Sequence, residues 1–282
     1  MTSAAKSELG LVGVGDNVVD QYLDQGVYYP GGNALNVAVL AHRFGLSKSA
    51  YIGILGDDEE GSHVRASILA EGLSDNYLRF ARGETGKAKV TLINGDRVFV
   101  HSNKGGIRKR LMLRMDQNDL DLIARLGHAH SSCFSYLEPE LPRIRAIAQG
   151  LSFDFSTGRE MTYLAAICPL VTLAFLSAAE LSDTDTEAFI ARVHSMGAPA
   201  VCVTQGERGA VFSTGTRTIR QGIAHAKLVD TMGAGDAFIA GFLATRINGA
   251  SAEDALQHAA TRAATACGWN GAFGHPHPAE AK

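Results

Sequence analysis

The stretch DTMGAGDAF, residues 230–238, is followed by an apolar run with helical spacing that extends to about Ile247. Small residues stand where the loop becomes a helix. The free N–H groups of a first helical turn and the positive end of the helix dipole attract anions, and small side chains let a phosphate approach the backbone. We therefore expect Gly233, Ala234 and Gly235 to form an anion hole.

Asp236 follows this anion hole directly. A carboxylate beside bound phosphate hinders simple binding, because like charges repel. The arrangement makes sense in a kinase, where the carboxylate takes the proton from a hydroxyl group that attacks the phosphate. Asp is also favoured in the first turn of an ordinary helix, so this interpretation depends on further motifs.

The rest of the chain alternates short β-branched runs with amphipathic helical ones. Such alternation predicts an α/β fold in which helices cover a mostly parallel sheet. The predicted strands are 9–15, 49–55, 128–134, 151–155, 171–176 and 199–203. The predicted helices are 33–45, 56–72, 116–126, 138–149, 158–168, 184–196, 234–247 and 251–266.

Two stretches break this rhythm, residues 17–30 and residues 87–101, and both look extended. The second contains NGD at 94–96, a strong hairpin signal between alternating apolar residues. We expect a separate small β layer that acts as a lid over a ligand at the carboxyl ends of the main strands. An edge hairpin that only caps the sheet is the alternative.

Composition narrows the function classes. The 282-residue chain has a net charge of −3, too little basic character to indicate nucleic-acid binding. No apolar run approaches the roughly 20 residues that span a bilayer, and the N-terminus lacks the apolar core of an export signal. Four widely spaced cysteines predict reduced thiols in a cytoplasmic protein. They are Cys133, Cys168, Cys202 and Cys267.

A second motif, GGNALNVA at residues 31–38, places two amides at the start of an apolar helix. Asn33 alone could be an N-cap, but Asn36 lies one turn later on the same face. Together they can exchange hydrogen bonds with a polyhydroxyl ligand. Asp16, just after the first predicted strand, adds a carboxylate that can accept from two sugar hydroxyls.

A third motif, VTQGERGA at residues 203–210, reads as a strand, a tight turn and another strand. In isolation such a turn means little. Beside an anion hole, Thr204, Gly206 and Gly209 can form a bed for the phosphates and ribose of a nucleotide.

Read together, GDN at 15–17 and the three motifs resemble the ribokinase-like family of carbohydrate kinases, also called PfkB. The resemblance implies a three-layer, doubly wound, mostly parallel α/β sheet with a small β-sheet lid. It implies one kinase domain at residues 9–274 with tails at 1–8 and 275–282, and we expect the tail histidines, His275 and His277, to be solvated. The family implies ATP, Mg²⁺ and transfer of the γ-phosphate to a sugar hydroxyl.

The resemblance also implies roles for single residues. Asp236 corresponds to the catalytic base, and Asp16, Gly32, Asn33 and Asn36 to sugar contacts. Gly271, in WNGAFG at 269–274, corresponds to a position near the adenine. Glu180 corresponds to a carboxylate that holds Mg²⁺ through water, although Ser177 stands where the family usually has Asn.

Asp230 has two interpretations. It could bind a monovalent cation such as K⁺, or it could order its loop through an Asx turn.

Several strings are similar to those of fructoselysine 6-kinases, a subgroup of this family: GDNVVD (15–20), GDDEEG (56–61), NGDRVF (94–99), FDFS (153–156) and LSAAE (176–180). The resemblance implies a fructosyl group on a lysine amine as substrate. A charged aglycone needs basic partners near the lid, for which Arg97, Lys104 and Arg108 are candidates, although solubilising charges explain them equally well.

Other functions stay open on the sequence alone. The substrate could be another ketohexose, ribose or a nucleoside, and the same scaffold could bind a sugar or nucleotide without turnover. A dehydrogenase is disfavoured, because Gly13 and Gly15 lack a third glycine and run into Asp16. Tyr22, Tyr28 and Tyr29 could stack on substrate or pack against a second subunit, and we expect a homodimer through the lid.

Overall fold

The computed structural model describes residues 9–93 and 96–279, with the backbone alone for residues 92–99. Its strands are β1 Gly10–Gly15, β2 Val18–Tyr22, β3 Val27–Gly31, β4 Ser49–Gly56, β5 Leu78–Ala81, β6 Lys87–Ile93, β7 Asp96–Ser102, β8 Gly127–Ser132, β9 Gly150–Asp154, β10 Leu173–Ser177, β11 Val201–Thr204, β12 Ala210–Ser213, β13 Thr218–Gln221 and β14 His277–Pro278. Its α-helices are α1 Asn33–Arg43, α2 Glu59–Ala70, α3 Ile107–Arg110, α4 Gln117–Leu126, α5 Leu141–Ile147, α6 Met161–Ile167, α7 Asp183–Ser195, α8 Ala234–Ile247 and α9 Ala252–Ala266.

The main sheet has the strand order β13-β12-β11-β10-β9-β8-β1-β4-β5. All pairings from β11 to β5 are parallel, and β12 and β13 are added antiparallel at one edge. The predicted mostly parallel α/β sheet is therefore confirmed.

Helices cover both faces of this sheet, and successive strand residues point to opposite faces. In β1, Leu11 belongs to a core that includes α1, α2, α8 and α9. The next residue, Val12, belongs to a second core that includes α4, α5, α6 and α7. This three-layer arrangement confirms the doubly wound fold.

Helix α8 is buried along most of its length, which explains why its sequence is apolar on nearly all sides. It packs against α1 and closely against α9. A Cβ at Gly241 would lie 3.1 Å from the Cα of Ala259, so a larger residue would crowd this approach. The packing holds the first turn of α8 beside the first turn of α1.

A second sheet contains the predicted lid strands in the order β14-β3-β2-β6-β7. Strands β6 and β7 pair antiparallel, as the NGD hairpin signal predicts, while Asn94 and Gly95 lie outside the described residues. Strand β2 begins three residues after β1 ends. The second sheet therefore starts directly at the carboxyl end of the main sheet.

The C-terminal tail differs from the prediction. Residues His277–Pro278 form β14 on the edge of β3 rather than a solvated tail. The His277 ring stacks on Tyr28 with 4.9 Å between centroids, and His275 Nε2 lies 2.5 Å from the Glu71 carboxylate. These contacts are with distant parts of the chain, so local sequence gives no sign of them.

Among the helices of the described residues, none is both long and apolar enough to cross a membrane.

Candidate active site

The carboxyl ends of the parallel strands meet at one edge of the main sheet, where open α/β sheets bind ligands. Asp16 follows β1, and Asp154, Ser177 and Thr204 end β9, β10 and β11. The first turns of α1 and α8 meet at the same edge, since Asn36 contacts Asp236 there. All four sequence motifs thus contribute side chains to one region.

Asp16 anchors the start of α1. Its Oδ2 accepts from the Asn33 N–H at 2.5 Å, and its Oδ1 accepts from the Ala34 N–H at 3.1 Å. The hydroxyls of Ser132 and Ser135 each donate to Oδ1 at 2.8 Å. The buried carboxylate therefore fixes the helix start in a set position, and its predicted contact with a sugar remains a prediction.

The backbone conformation at position 32 requires glycine. Its φ is 111°, and a Cβ at this position would lie 2.5 Å from the Cα of Asn17. Gly32 also precedes α1 as its N-cap, so the proposal that Asn33 caps the helix is wrong. The Asn33 side chain therefore does not cap α1 and can form other hydrogen bonds.

Asn33 Nδ2 donates to Asp154 Oδ2 at 2.5 Å. Asp154 Oδ1 accepts from the Ser156 N–H at 2.8 Å. Burial raises the pKa of Asp154 to about 6, despite the hydrogen bonds from Ser156 and Asn33 that lower it. Asp154 was not predicted as a site residue. Like Asp16, it lies at the end of a predicted strand, and this position was a usable signal.

Asn36 Nδ2 donates to Asp236 Oδ2 at 2.7 Å, which joins the GGNALNVA and DTMGAGD motifs. Burial raises the pKa of Asp236 well above its ordinary value. The Asn36 hydrogen bond lowers this pKa, and the charges of Asp154, Asp16 and Asp20 raise it further. Asn36 Oδ1 is buried without a hydrogen-bond partner in the described structure, so it is available to a ligand hydroxyl.

The first turn of α8 is shaped by two glycines with different surroundings. Gly233 has a φ of 73°, and a Cβ there would lie 2.7 Å from the Cα of Ala272. At Gly235 a Cβ would meet nothing within 4 Å. The Ala234 N–H donates to the Thr231 carbonyl at 3.2 Å, so it is engaged within the loop rather than open to an anion.

A cavity of about 650 Å³ lies against this first turn. Its lining includes the predicted residues Thr204, Gly206, Gly209 and Gly235. The remaining lining is largely apolar and comes from residues 222–228 and from α8 and α9, a contribution the sequence analysis missed. The size and apolar walls suit a nucleotide-sized ligand.

Gly271 packs against a tyrosine of the second sheet, and its place near the adenine stays a prediction. It is not among the residues that line the cavity, and a Cβ there would lie 2.7 Å from Cγ of Tyr29. Its N–H donates to Asp230 Oδ2 at 3.0 Å, while the Met232 N–H donates to Oδ1 at 2.9 Å and the Tyr22 hydroxyl donates to Oδ2. These contacts match the loop-ordering interpretation of Asp230.

Glu180 forms an ion pair with Arg159, and its side chain is 55% exposed. A backbone hydrogen bond and the Arg159 guanidinium lower the pKa of Glu180. Its neighbours Ser177 and Ala179 line the cavity, whereas Glu180 itself does not. The Ser177 and Thr204 hydroxyls lie 3.2 Å apart.

The three lid tyrosines pack inside the chain rather than on a second subunit. Tyr22 contacts Asp230 and stacks edge-on with Tyr29, and Tyr28 packs between His63 and His277.

Of the three basic candidates for an aglycone, the Arg97 side chain lies outside the described residues and Lys104 is exposed. Arg108 is buried beneath the ring of Tyr136.

Residues 8–277 match the family described as pfkB family carbohydrate kinase. The chain belongs to this family. A pfkB carbohydrate kinase is a phosphotransferase with an alcohol acceptor, so the enzyme class is confirmed and the dehydrogenase and non-catalytic alternatives lose their support.

Two relatives resemble this pfkB kinase over nearly its full length. It is 48% identical over 269 residues to the fructosamine kinase FrlD of Bacillus subtilis, covering 95% of this chain and 94% of the relative. It is 30% identical over 266 residues to a fructoselysine 6-kinase of Escherichia coli, covering 93% and 99%.

Solved structures confirm the ribokinase-like fold of this pfkB kinase. The Arabidopsis thaliana ribokinase complexed with ribose and ATP superposes with a TM-score of 0.81 at 21% identity, covering 94% of each chain. A putative ribokinase II of E. coli, in complex with ATP and Mg²⁺, gives a TM-score of 0.79 at 22% identity and the same coverage.

Proposed function

We propose that this kinase transfers the γ-phosphate of ATP to the primary 6-hydroxyl of a fructosyl group carried on an amine, as in fructoselysine. The observation that carries the proposal is the contact between Asn36 and Asp236 beside the nucleotide-sized cavity. The fructosamine and fructoselysine kinases among its relatives support the substrate class.

In the proposed step, Asp236 takes the proton of the sugar hydroxyl as the hydroxyl oxygen forms a bond to the γ-phosphorus. The bond from that phosphorus to the bridging oxygen breaks, and ADP leaves with the electron pair. The raised pKa of Asp236 makes the carboxylate a stronger base than an exposed aspartate. Its buried position also keeps water away from the proton transfer.

Charge on the transferred phosphoryl group needs fixed donors, because phosphoryl transfer depends mostly on positioning and electrostatics. The N–H groups of Gly233 and Gly235, with the dipole of α8, supply them in the proposal. The open space beside Gly235 supports this assignment. Ala234 contributes to the turn rather than to the anion hole, since its N–H is engaged by Thr231.

Sugar hydroxyls are proposed to contact Asn33, Asn36 and Asp154, with Asp16 and Gly32 holding the start of α1. The free Oδ1 of Asn36 supports this assignment most directly, because a buried acceptor without a partner costs free energy until a ligand donates to it. Asp154, which accepts from Asn33, adds a carboxylate acceptor.

Mg²⁺ fits this chain as a cation held by phosphates and water rather than by a protein cage. No group of three or more acidic, histidine or cysteine side chains suited to a metal is found in the described residues. Glu180, whose pKa is lowered, supplies one ionised carboxylate beside the cavity. When bound, Mg²⁺ neutralises charge on the phosphates. A monovalent cation at Asp230 stays a prediction.

The test is an ADP-release assay over fructose, ribose, nucleosides, fructoselysine and other glycated amines. We expect kcat/KM to be highest for a glycated amine. A higher kcat/KM for plain fructose, ribose or a nucleoside would overturn the substrate proposal and leave the family standing.

We also propose a cytoplasmic homodimer joined through the second sheet. Cys133, Cys168 and Cys202, which form no disulfide in the described residues, support the compartment. The edge strand β7, with Val100 55% exposed, supports the contact. A monomeric mass by sedimentation at assay concentration would contradict the dimer.

A further inference from the structure

Arg108 carries a buried guanidinium, two nitrogens of which have no hydrogen-bond partner in the described structure. The residue is 3% exposed, and its Nε and Nη1 are buried with no hydrogen bond. Within the described residues, no carboxylate forms an ion pair with it. A buried charge is costly unless it is paired, so this arrangement indicates a partner that arrives from outside the chain.

The position of Arg108 connects it to the sugar side of the site. A Cβ at Gly86 would lie 2.9 Å from the carbonyl oxygen of Asn17 and 3.1 Å from the Cα of Gly105. A Cβ at Gly105 would in turn lie 2.9 Å from Arg108 Nη2. Close contacts through Gly86 and Gly105 therefore connect the guanidinium to Asn17, the residue after Asp16.

Electrostatic coupling supports this placement. Burial raises the pKa of the Tyr51 hydroxyl, the Asn17 hydrogen bond and the Arg108 charge lower it, and the Asp16 charge raises it. Tyr51 donates to the Gly15 carbonyl at 2.8 Å, directly before Asp16. Arg108 and Asp16 thus act on the same hydroxyl.

Two non-glycine residues near this arginine have positive φ values. Lys104 and Tyr136 have φ values of 55° and 50°, which non-glycine residues adopt at a cost. The Tyr136 hydroxyl donates to the Lys104 carbonyl at 3.4 Å, and the Tyr136 ring lies 5.4 Å from the guanidinium carbon. Glycines at 105 and 106, both with positive φ, complete the loop over Arg108.

We propose that Arg108 binds the carboxylate of the amino acid that carries the fructosyl group. This inference rests on the proposed function and deepens it, because it adds an acidic aglycone to the substrate. A planar guanidinium pairs with a carboxylate through two parallel N–H donors, which gives both charge and geometric selection. The carboxylate comes either from an α-glycated amino acid, where it lies close to the sugar, or from an ε-glycated lysine, where it lies farther away.

The experiment uses two matched substrate pairs, fructosyl-glycine with its carboxamide and ε-fructosyl-lysine with its α-carboxamide. We expect wild type to lose about 10- to 100-fold in kcat/KM on amidation of at least one acid, mainly through KM, as for a charge-assisted hydrogen bond. The pair that shows the loss identifies the source of the carboxylate. In Arg108→Gln the acid-to-amide ratio should fall to about one.

Arg110→Gln is the matched control. Arg110 is exposed on the same short helix, and its replacement by Gln removes the same charge. It should keep the wild-type ratio. Thermal unfolding checks that Arg108→Gln is folded, and Arg108→Lys, which keeps the charge, should restore part of the ratio.

Equal kcat/KM for acid and amide in both pairs with wild type overturns the role of Arg108 and leaves the kinase a fructosamine kinase. An undiminished ratio in Arg108→Gln overturns it as well. Turnover of fructose with no turnover of any glycated amine is a different failure, because it removes the proposed function and the Arg108 inference with it.

Discussion

Asn36 donates to Asp236 at 2.7 Å, although 200 positions separate the two residues in the chain. The contact joins the first turns of two packed helices, α1 and α8. It links a polar residue on the sugar side to the carboxylate that follows the glycine turn.

Replacement of Asp236 by Asn should lower kcat by at least about 10²- to 10⁴-fold, because the amide cannot accept the hydroxyl proton. The change keeps the shape of the side chain and the contact with Asn36. It also removes a buried carboxylate, so we expect no loss of thermal stability. Turnover is measured by ADP release and ATP affinity by calorimetry. A folded Asp236→Asn protein with near-normal kcat would refute the assignment.

Replacement of Asn36 by Ala should move the acid limb of the kcat/KM profile to higher pH. Burial is the largest cause of the raised pKa of Asp236, and the Asn36 hydrogen bond opposes it. The base works only when deprotonated, so activity is lost as pH falls through this pKa. Removing the donor raises the pKa and moves that loss upward. Asn118→Ala, at an exposed position on α4, should leave the profile in place; an acid limb that does not move in Asn36→Ala speaks against the coupling.

Replacement of Asp154 by Asn should stabilise the fold at neutral pH while weakening sugar binding. Burial raises the pKa of Asp154 from 3.8 to about 6, so between these values the folded state holds a proton that the unfolded state has released. The carboxyl group thus costs stability progressively as pH rises through this window, on the order of 3 kcal/mol above pH 6. Asn removes that cost.

Urea unfolding at two pH values checks this prediction. The free energy of unfolding of Asp154→Asn should exceed that of wild type by up to about 3 kcal/mol at pH 7, and the difference should vanish below about pH 4. Asp24→Asn, at an exposed position, should show little difference at either pH. Equal stabilities at pH 7 would show that the buried carboxyl carries no such cost.

Alanine at the two glycines of the α8 turn should separate folding from catalysis. Gly233→Ala forces a left-handed φ and a contact of 2.7 Å with Ala272, so we expect a loss of stability of roughly 1–3 kcal/mol. Gly235→Ala has room within the protein and should keep its stability, but its methyl group enters the space proposed for phosphate. We expect a higher KM for ATP. Unfolding curves and ATP titrations of the rate give the comparison, and an unchanged KM in Gly235→Ala would exclude phosphate from this position.

The sequence was most informative where structure follows from local pattern. The main helices and central strands, the hairpin of the second sheet and the glycine turn before α8 all carry periodic or turn signals. Strands β5 and β13 were missed because they are four-residue edge strands with half-exposed or exposed side chains and no apolar run. Strand β14 was missed because two residues, one of them proline, become a strand only through pairing with β3.

Site residues divide in the same way. Asp236, Asn36 and the glycines lie in continuous motifs and could be assigned from the chain alone. Asp154 has an isolated signal, and the apolar wall of the cavity comes from residues without any motif. The packing of Gly271 against Tyr29 could not be predicted locally, because it depends on a strand about 240 positions earlier.

The short C-terminal strand limits how copies of this protein can assemble. Because β14 ends one side of the second sheet with two residues and a proline that has no N–H, that border offers almost nothing for another chain to extend. Of the two edge strands in the described residues, β7 offers the longer template. A sheet with one long border can pair edge to edge with one like copy and then has no such border left, so the proposed dimer should be a closed pair and not the start of a fibre.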